Sequence, residues 1–136
     1  MPTPHPTIAL TLGDVAGIGP EVAVRACADP RIIAACRPVI VGHPEVVRRA
    51  ITHCGLKIVL AEVTQPEELP PLNTLACWNP PTAPQNVIEV PPGHNDARAG
   101  RAAYEYLVAA ANAALTKRVA AITTHRSAKP RCISPG

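Results

Sequence analysis

The densest group of chemically suggestive residues is Leu12-Gly13-Asp14-Val15-Ala16-Gly17-Ile18-Gly19-Pro20-Glu21. Its glycines would let backbone N–H groups approach a ligand closely, and a helix opening at Pro20-Glu21 would favour an anion at its N-terminus. Gly13, Asp14, Gly17 and Gly19 are therefore the candidate cofactor-binding residues. The dinucleotide fingerprint is incomplete, because the third glycine of G-x-G-x-x-G would fall on Val22. No Gly-Lys-Ser/Thr follows, which excludes a P-loop. Taken alone, the pattern is more often a tight strand-to-helix turn, with Asp14 and Glu21 serving a cap or the helix dipole.

Metal chemistry would need several imidazole or carboxylate ligands converging on one ion. The histidines (His5, His43, His53, His94 and His125) are dispersed. His43 is expected in a strand-to-helix turn and His53 at a helix end, both ordinary surface positions. Cys27, Cys36, Cys54, Cys77 and Cys132 contain no CxxC pair, so they read as reduced thiols, mostly small buried hydrophobes.

The elements that must position the glycine-rich turn follow from the apolar pattern. Ile8–Leu12 reads as a strand, and a helix opens at Pro20 with Val22, Ala23, Ala26 and Cys27 as its apolar face, stopping at Asp29-Pro30. A short helix is expected over Arg31–Cys36 and a second strand over Pro38–Val41. Gly42-His43-Pro44-Glu45 then turns into a helix that buries Val46, Val47, Ala50 and Ile51 and ends at Gly55, before a third strand at Leu56–Leu60. This order predicts an α/β fold: a mostly parallel sheet with helices on both faces.

From Gln65 to Gly93 recurrent prolines forbid long helices, although Leu75–Trp78 and Val87–Val90 could be short strands. Asp96 caps the longest expected helix, which runs to about Lys117 with an apolar face that includes Ala102, Tyr106, Leu107 and Ala110. Lys117-Arg118 would complement its dipole, and Val119–Thr123 reads as the next buried strand.

Composition narrows the function. The 136 residues suit one domain, and 47% hydrophobic against 17% charged residues is enough for a core. Only 2% are aromatic, so that core must be built from Ala, Val, Leu and Ile. The net charge of +3 is interleaved, with no basic run and few stacking platforms, which argues against nucleic-acid binding. No apolar run approaches the ~18 residues of a membrane span, and the N-terminus lacks a signal-peptide pattern, so a cytoplasmic location is expected.

The decapeptide as a whole resembles the opening of the 4-hydroxythreonine-4-phosphate dehydrogenase family, typically a strand followed by Gly-Asp-Pro-Ala-Gly-Ile-Gly-Pro-Glu. The resemblance continues in Gly100-Arg-Ala-Ala-Tyr-Glu-Tyr-Leu107 and Ala120-Ala-Ile-Thr-Thr124, and so spans most of residues 8–124. Val15 departs from it, standing where the family usually has Pro.

The resemblance implies oxidation of 4-phosphooxy-threonine with NAD and a divalent metal (Zn, Mg or Co), followed by decarboxylation, in pyridoxal phosphate synthesis. Related enzymes act instead on phosphorylated threonate or erythronate. It also implies two α/β domains around a cleft, a homodimer, and a small phosphorylated hydroxy acid as substrate. The family's metal-binding histidines, and the His-Thr pair that holds substrate, lie beyond the strand matching Ala120–Thr123. No catalytic residue or metal ligand is therefore assigned within this chain.

After Thr124 the family continues with a segment of the kind Ala-Pro-Leu-Ser-Lys and then a helix. A DNA sequence coding for Ala-Pro-Leu-Ser-Lys-Ala-Ala-Leu-His-Leu-Ala-Gly, read after loss of its first base, translates as His125–Gly136. Residues 1–124 are thus expected to be the N-terminal α/β segment of the dehydrogenase, and 125–136 a frameshifted tail. Such a fragment would be inactive alone, and poorly soluble or partly molten. Two other readings are a small nucleotide- or anion-binding module using Gly13–Gly19, and a non-catalytic interaction protein using the Pro-rich stretch.

Overall fold

The computed structural model describes residues 5–124 apart from 14, 16, 69, 71–73, 92, 94 and 95. The expectations for Asp14 and for the tail at 125–136 lie outside these residues.

Five strands, β1 (Thr7–Thr11), β2 (Arg37–Val41), β3 (Val59–Val63), β4 (Thr74–Trp78) and β5 (Ala121–Thr124), form one sheet in the order β3-β4-β2-β1-β5. Every pairing is parallel. The helices are α1 (Gly19–Ala28), α2 (Pro30–Ala35), α3 (Pro44–His53) and α4 (Ala97–Leu115). Right-handed crossovers fix their faces. The chain steps in one direction from β1 to β2 and on to β3, which puts α1 and α3 on the same side, where they pack together. It steps back across the sheet from β4 to β5, so α4 covers the other side, over β1, β2 and β5. This is the expected α/β architecture.

Local signals explain most boundaries. Pro20, Pro30 and Pro44 occupy the first turns of α1, α2 and α3, where a missing N–H costs nothing. Asp29 does double duty: it ends α1, and its carboxylate accepts from the Arg31 amide at 2.9 Å to open α2. Arg31 also donates to Asp29 through its guanidinium, and this holds the carboxyl below its ordinary value. Asp96 caps α4 as expected, accepting from the Arg98 amide at 2.8 Å. The core is largely aliphatic, with Val24, Val39, Ile40, Val41 and Val47 fully buried, and Tyr106 is its largest fully buried side chain. Small residues on α4, Ala99, Ala102, Ala110 and Ala113, bring that helix close to the sheet.

Several expectations shift. In α1 the buried residues include Val24, whereas Val22 points to solvent; helical spacing from Pro20, Ala23 and Cys27 selects 24. The third strand starts at Val59 and not Leu56, because α3 ends through Gly55 with φ +68 and the Leu56 amide is still tied to the Ile51 carbonyl at 3.1 Å. Val87–Val90 is no strand: Gln85–Glu89 forms a 3₁₀ helix after Pro84, with Val87 and Val90 buried three apart.

Helix α4 stops at Leu115, and Lys117 turns left-handed at φ 63, so its charge does not sit in the last turn. Arg118 instead pairs with Glu67 at 3.0 Å and lies 5.9 Å from the Trp78 ring centroid. Leu107 faces solvent. The last strand begins at Ala121, two residues later than expected, and is mostly exposed, because it lies at the sheet edge.

Candidate functional site

Parallel α/β sheets bind ligands beyond the carboxyl ends of their strands, where neighbouring connections diverge to opposite faces. Among the described residues, the neighbouring strands that diverge in this way are β2, which leads into α3 on one face, and β4, which leads to α4 on the other. Thr11 at the end of β1 is in register with Thr124 at the end of β5. The glycine-rich turn leaves β1, the neighbour of β2, at the same carboxyl edge of the sheet.

The turn is built for compactness. Gly13 has φ 72, a left-handed conformation that favours glycine, directly after Leu12, whose amide donates to the Val41 carbonyl at 3.2 Å. Gly17 and Ile18 are exposed, while Gly19 and Pro20 are buried in the first turn of α1. Gly13, Gly17 and Gly19 thus share one connection.

As an anion cradle it is poorly equipped. Ile18, at the N-cap, provides no side-chain cap; Pro20 brings no N–H; the Val22 amide is bonded to the Ile18 carbonyl at 3.0 Å. Glu21 adds a carboxylate to the same turn, paired with His53 at 2.9 Å across to α3. A pyrophosphate here would meet the repelling charge of Glu21.

The neighbouring strand ends carry two further polar side chains. His43 follows β2 and caps α3, its Nδ1 accepting from the Glu45 amide at 3.1 Å. That bond requires the neutral ring with its proton on Nε2. Half-burial pushes the His43 pKa below the ordinary histidine value; Glu45 and Glu62 oppose this, whereas Arg49 and Arg48 add to it. His43 thus stands in the expected strand-to-helix turn, and its ring also serves as the cap of α3.

After β4, Asn79 donates from Nδ2 to Gln85 Oε1 at 2.7 Å, while its Oδ1 is buried with no hydrogen-bond partner. No sequence signal marked Asn79. His53 is exposed at the end of α3, at some remove in the chain from these strand ends. Among the described residues, no three His, Cys, Asp or Glu side chains converge as metal ligands would. No helix among them is long and apolar enough to cross a membrane.

Comparison with known proteins places this geometry in a family. The family model described as pyridoxal phosphate biosynthetic protein PdxA matches residues 34–132. A 4-hydroxythreonine-4-phosphate dehydrogenase from Trichlorobacter lovleyi is 36% identical over 124 residues, covering 91% of this chain and 37% of the relative. A D-threonate 4-phosphate dehydrogenase from Cupriavidus necator is 32% identical, covering 88% of this chain and 35% of the relative. The chain therefore spans little more than a third of the length of these proteins. The crystal structure of a 4-hydroxythreonine-4-phosphate dehydrogenase from Burkholderia phymatum superposes with a TM-score of 0.79 at 31% identity, over 90% of this chain and 36% of that one. With the family pattern running through most of the sequence and the same fold in a solved relative, the chain belongs to the pyridoxal phosphate biosynthetic protein PdxA family.

Proposed function

We propose that this chain is the N-terminal α/β part of a dehydrogenase that oxidises the CH–OH group of a small phosphorylated hydroxy acid. The carrying observation is the turn at Gly13, which lies at the carboxyl edge of a parallel sheet shared with dehydrogenases. NAD is the expected hydride acceptor. With 4-phosphooxy-threonine as substrate the product is a β-keto acid, which loses carbon dioxide on the way to pyridoxal phosphate. The relative from Cupriavidus necator favours a second reading, with phosphorylated threonate as substrate.

Gly13, Asp14, Gly17 and Gly19 line the cofactor side of the cleft in this proposal. In this reading the turn acts through close backbone approach, and the Glu21 carboxylate disfavours a phosphate beside it. The divalent metal does not fit the described residues, so no step is assigned to it. The working enzyme is a cytoplasmic homodimer, and the 136-residue chain alone is inactive.

Residues 125–136 are proposed to be a frameshifted tail. Because the family match continues past Thr124 to Cys132, the DNA must decide between a frameshifted and a divergent segment. Resequencing the coding DNA across this region is the first step. If one restored base opens a frame containing the family's histidines, the restored protein is expected to reduce NAD with either 4-phosphooxy-threonine or phosphothreonate. Failure with both substrates would overturn the dehydrogenase reading. Tight nucleotide binding by the 136-residue chain alone would favour the small-module reading.

A further inference from the structure

The His43 cap joins two things the catalytic reading does not use: a titratable acceptor and a turn at the carboxyl end of the sheet. Gly42, just before it, is firmly held. Its amide donates to the Trp78 carbonyl at 2.9 Å, and its carbonyl accepts from Cys77 Sγ at 3.4 Å. The next helical bond, from the Val47 amide to the His43 carbonyl, is 3.2 Å. Between these anchors, the Glu45 amide has the His43 imidazole as its acceptor.

We propose that His43 is an acid-labile cap: protonation of Nδ1 withdraws that acceptor and loosens the first turn of α3 while β2 stays in place. The protonated ring would also put a positive charge at the positive end of the α3 dipole. Asn, Asp or Ser in the same place would keep an acceptor across this pH range.

The groups acting on the ring come from several elements. Glu45, Arg48 and Arg49 lie on α3 and Glu62 on β3. Cys77 of β4 and the Tyr106 hydroxyl of α4 lie on the turn's inner side. The carboxylates favour the charged ring, whereas burial and the two arginines oppose it; burial is the largest of these influences.

The sign of the stability effect follows. The folded-state pKa lies below the ordinary value of 6.5, so the unfolded chain takes up the proton first. The cap's contribution is complete above that value and is lost as pH falls toward the lower folded-state pKa.

Amide exchange and nitrogen NMR on the full 136-residue chain test this. After correction for intrinsic exchange, Glu45 protection is expected to drop roughly fivefold as pH falls from 7.5 to 5.5, about the worth of one cap. The amides of β2 should be unchanged. In His43→Asn the Glu45 protection should be flat over the same range. Equal pH dependence in the two proteins overturns the proposal. Should His43→Asn fail to fold, the imidazole nitrogen shifts of the wild type decide. Protonation of Nδ1 that leaves the Glu45 amide shift and exchange unmoved overturns it, and co-titration of the two supports it.

Discussion

The Leu12 side chain fills the space into which any side chain at Gly42 would project, locking the ends of β1 and β2 together. A Cβ at Gly42 would overlap the Leu12 side chain, and both residues are buried, so neither has room to retreat. Gly42→Ala is therefore expected to destabilise the chain by about 1–3 kcal/mol, the usual cost of overpacking. Chemical denaturation of the two proteins measures it. An unchanged midpoint would mean that the turn at the end of β1 yields freely.

Two thiols are expected to be silent in the folded protein. Burial raises the pKa of Cys27 and of Cys77 to about 12, so at pH 8 roughly one molecule in ten thousand carries either thiolate. Alkylation followed by peptide mapping should leave both unmodified until denaturant is added. Rapid native labelling of Cys77 would show that the strand end beside Gly42 opens on the experimental timescale.

Tyr106 is fully buried, yet its hydroxyl has no hydrogen-bond partner; the His43 backbone amide lies nearby, outside bonding geometry. Tyr106→Phe should thus be neutral or stabilising by up to ~2 kcal/mol, since the hydroxyl is desolvated without compensation. Tyr106→Ala should cost about 3–5 kcal/mol through the cavity it leaves. The comparison of melting temperatures separates packing from polarity.

The cap at Asp96 should be worth more than the exposed ion pairs. Asp96 accepts from both the Arg98 amide and the Arg98 guanidinium, and its carboxylate is largely shielded from solvent. Asp96→Ala is expected to cost about 0.5–2 kcal/mol and some helical circular dichroism, while Asp96→Asn should keep most of the cap.

Solubility should respond to the sheet edge. β5 is an edge strand with exposed residues, and Leu115 just before it on α4 is 80% exposed. Ala121→Lys and Leu115→Lys are expected to lower light scattering of the purified chain without altering its unfolding midpoint by more than ~0.5 kcal/mol. Scattering that ignores both changes would place the sticky surface elsewhere.

The legible parts of the sequence were those where one physical preference acts without competition. Pro20 and Pro44 open helices because proline costs nothing there, Asp96 caps, and Val46, Val47, Ala50 and Ile51 share a face by periodicity alone. The illegible parts needed tertiary information. Val119–Thr123 looked like a buried strand because its residues are apolar, but burial depends on neighbours, and among the described residues this strand pairs with β1 alone. Val87–Val90 carried apolar residues compatible with strand or helix, and Pro84 with the buried Val87 decided for the helix.

At the site, the glycines of the turn were readable as a motif, whereas their position beside β5 depends on strand order. His43 was legible as part of a strand-to-helix turn, but the bond from the Glu45 amide to its ring depends on the rotamer the ring takes there. Asn79 gave no signal, because its surroundings are assembled from residues distant in the chain.

The pairing of Ile8 with Ala121 joins nearly opposite ends of the described chain. β1 and the central strand β2 are near neighbours in sequence, so they can pair while the ribosome is still extending the chain. β5 must wait for nearly everything else, and its pairing carries the largest loop-closure cost in the sheet. Until it arrives, one side of β1 stands open in the nascent chain, which makes the tunnel exit, and any chaperone stationed there, part of this protein's folding problem.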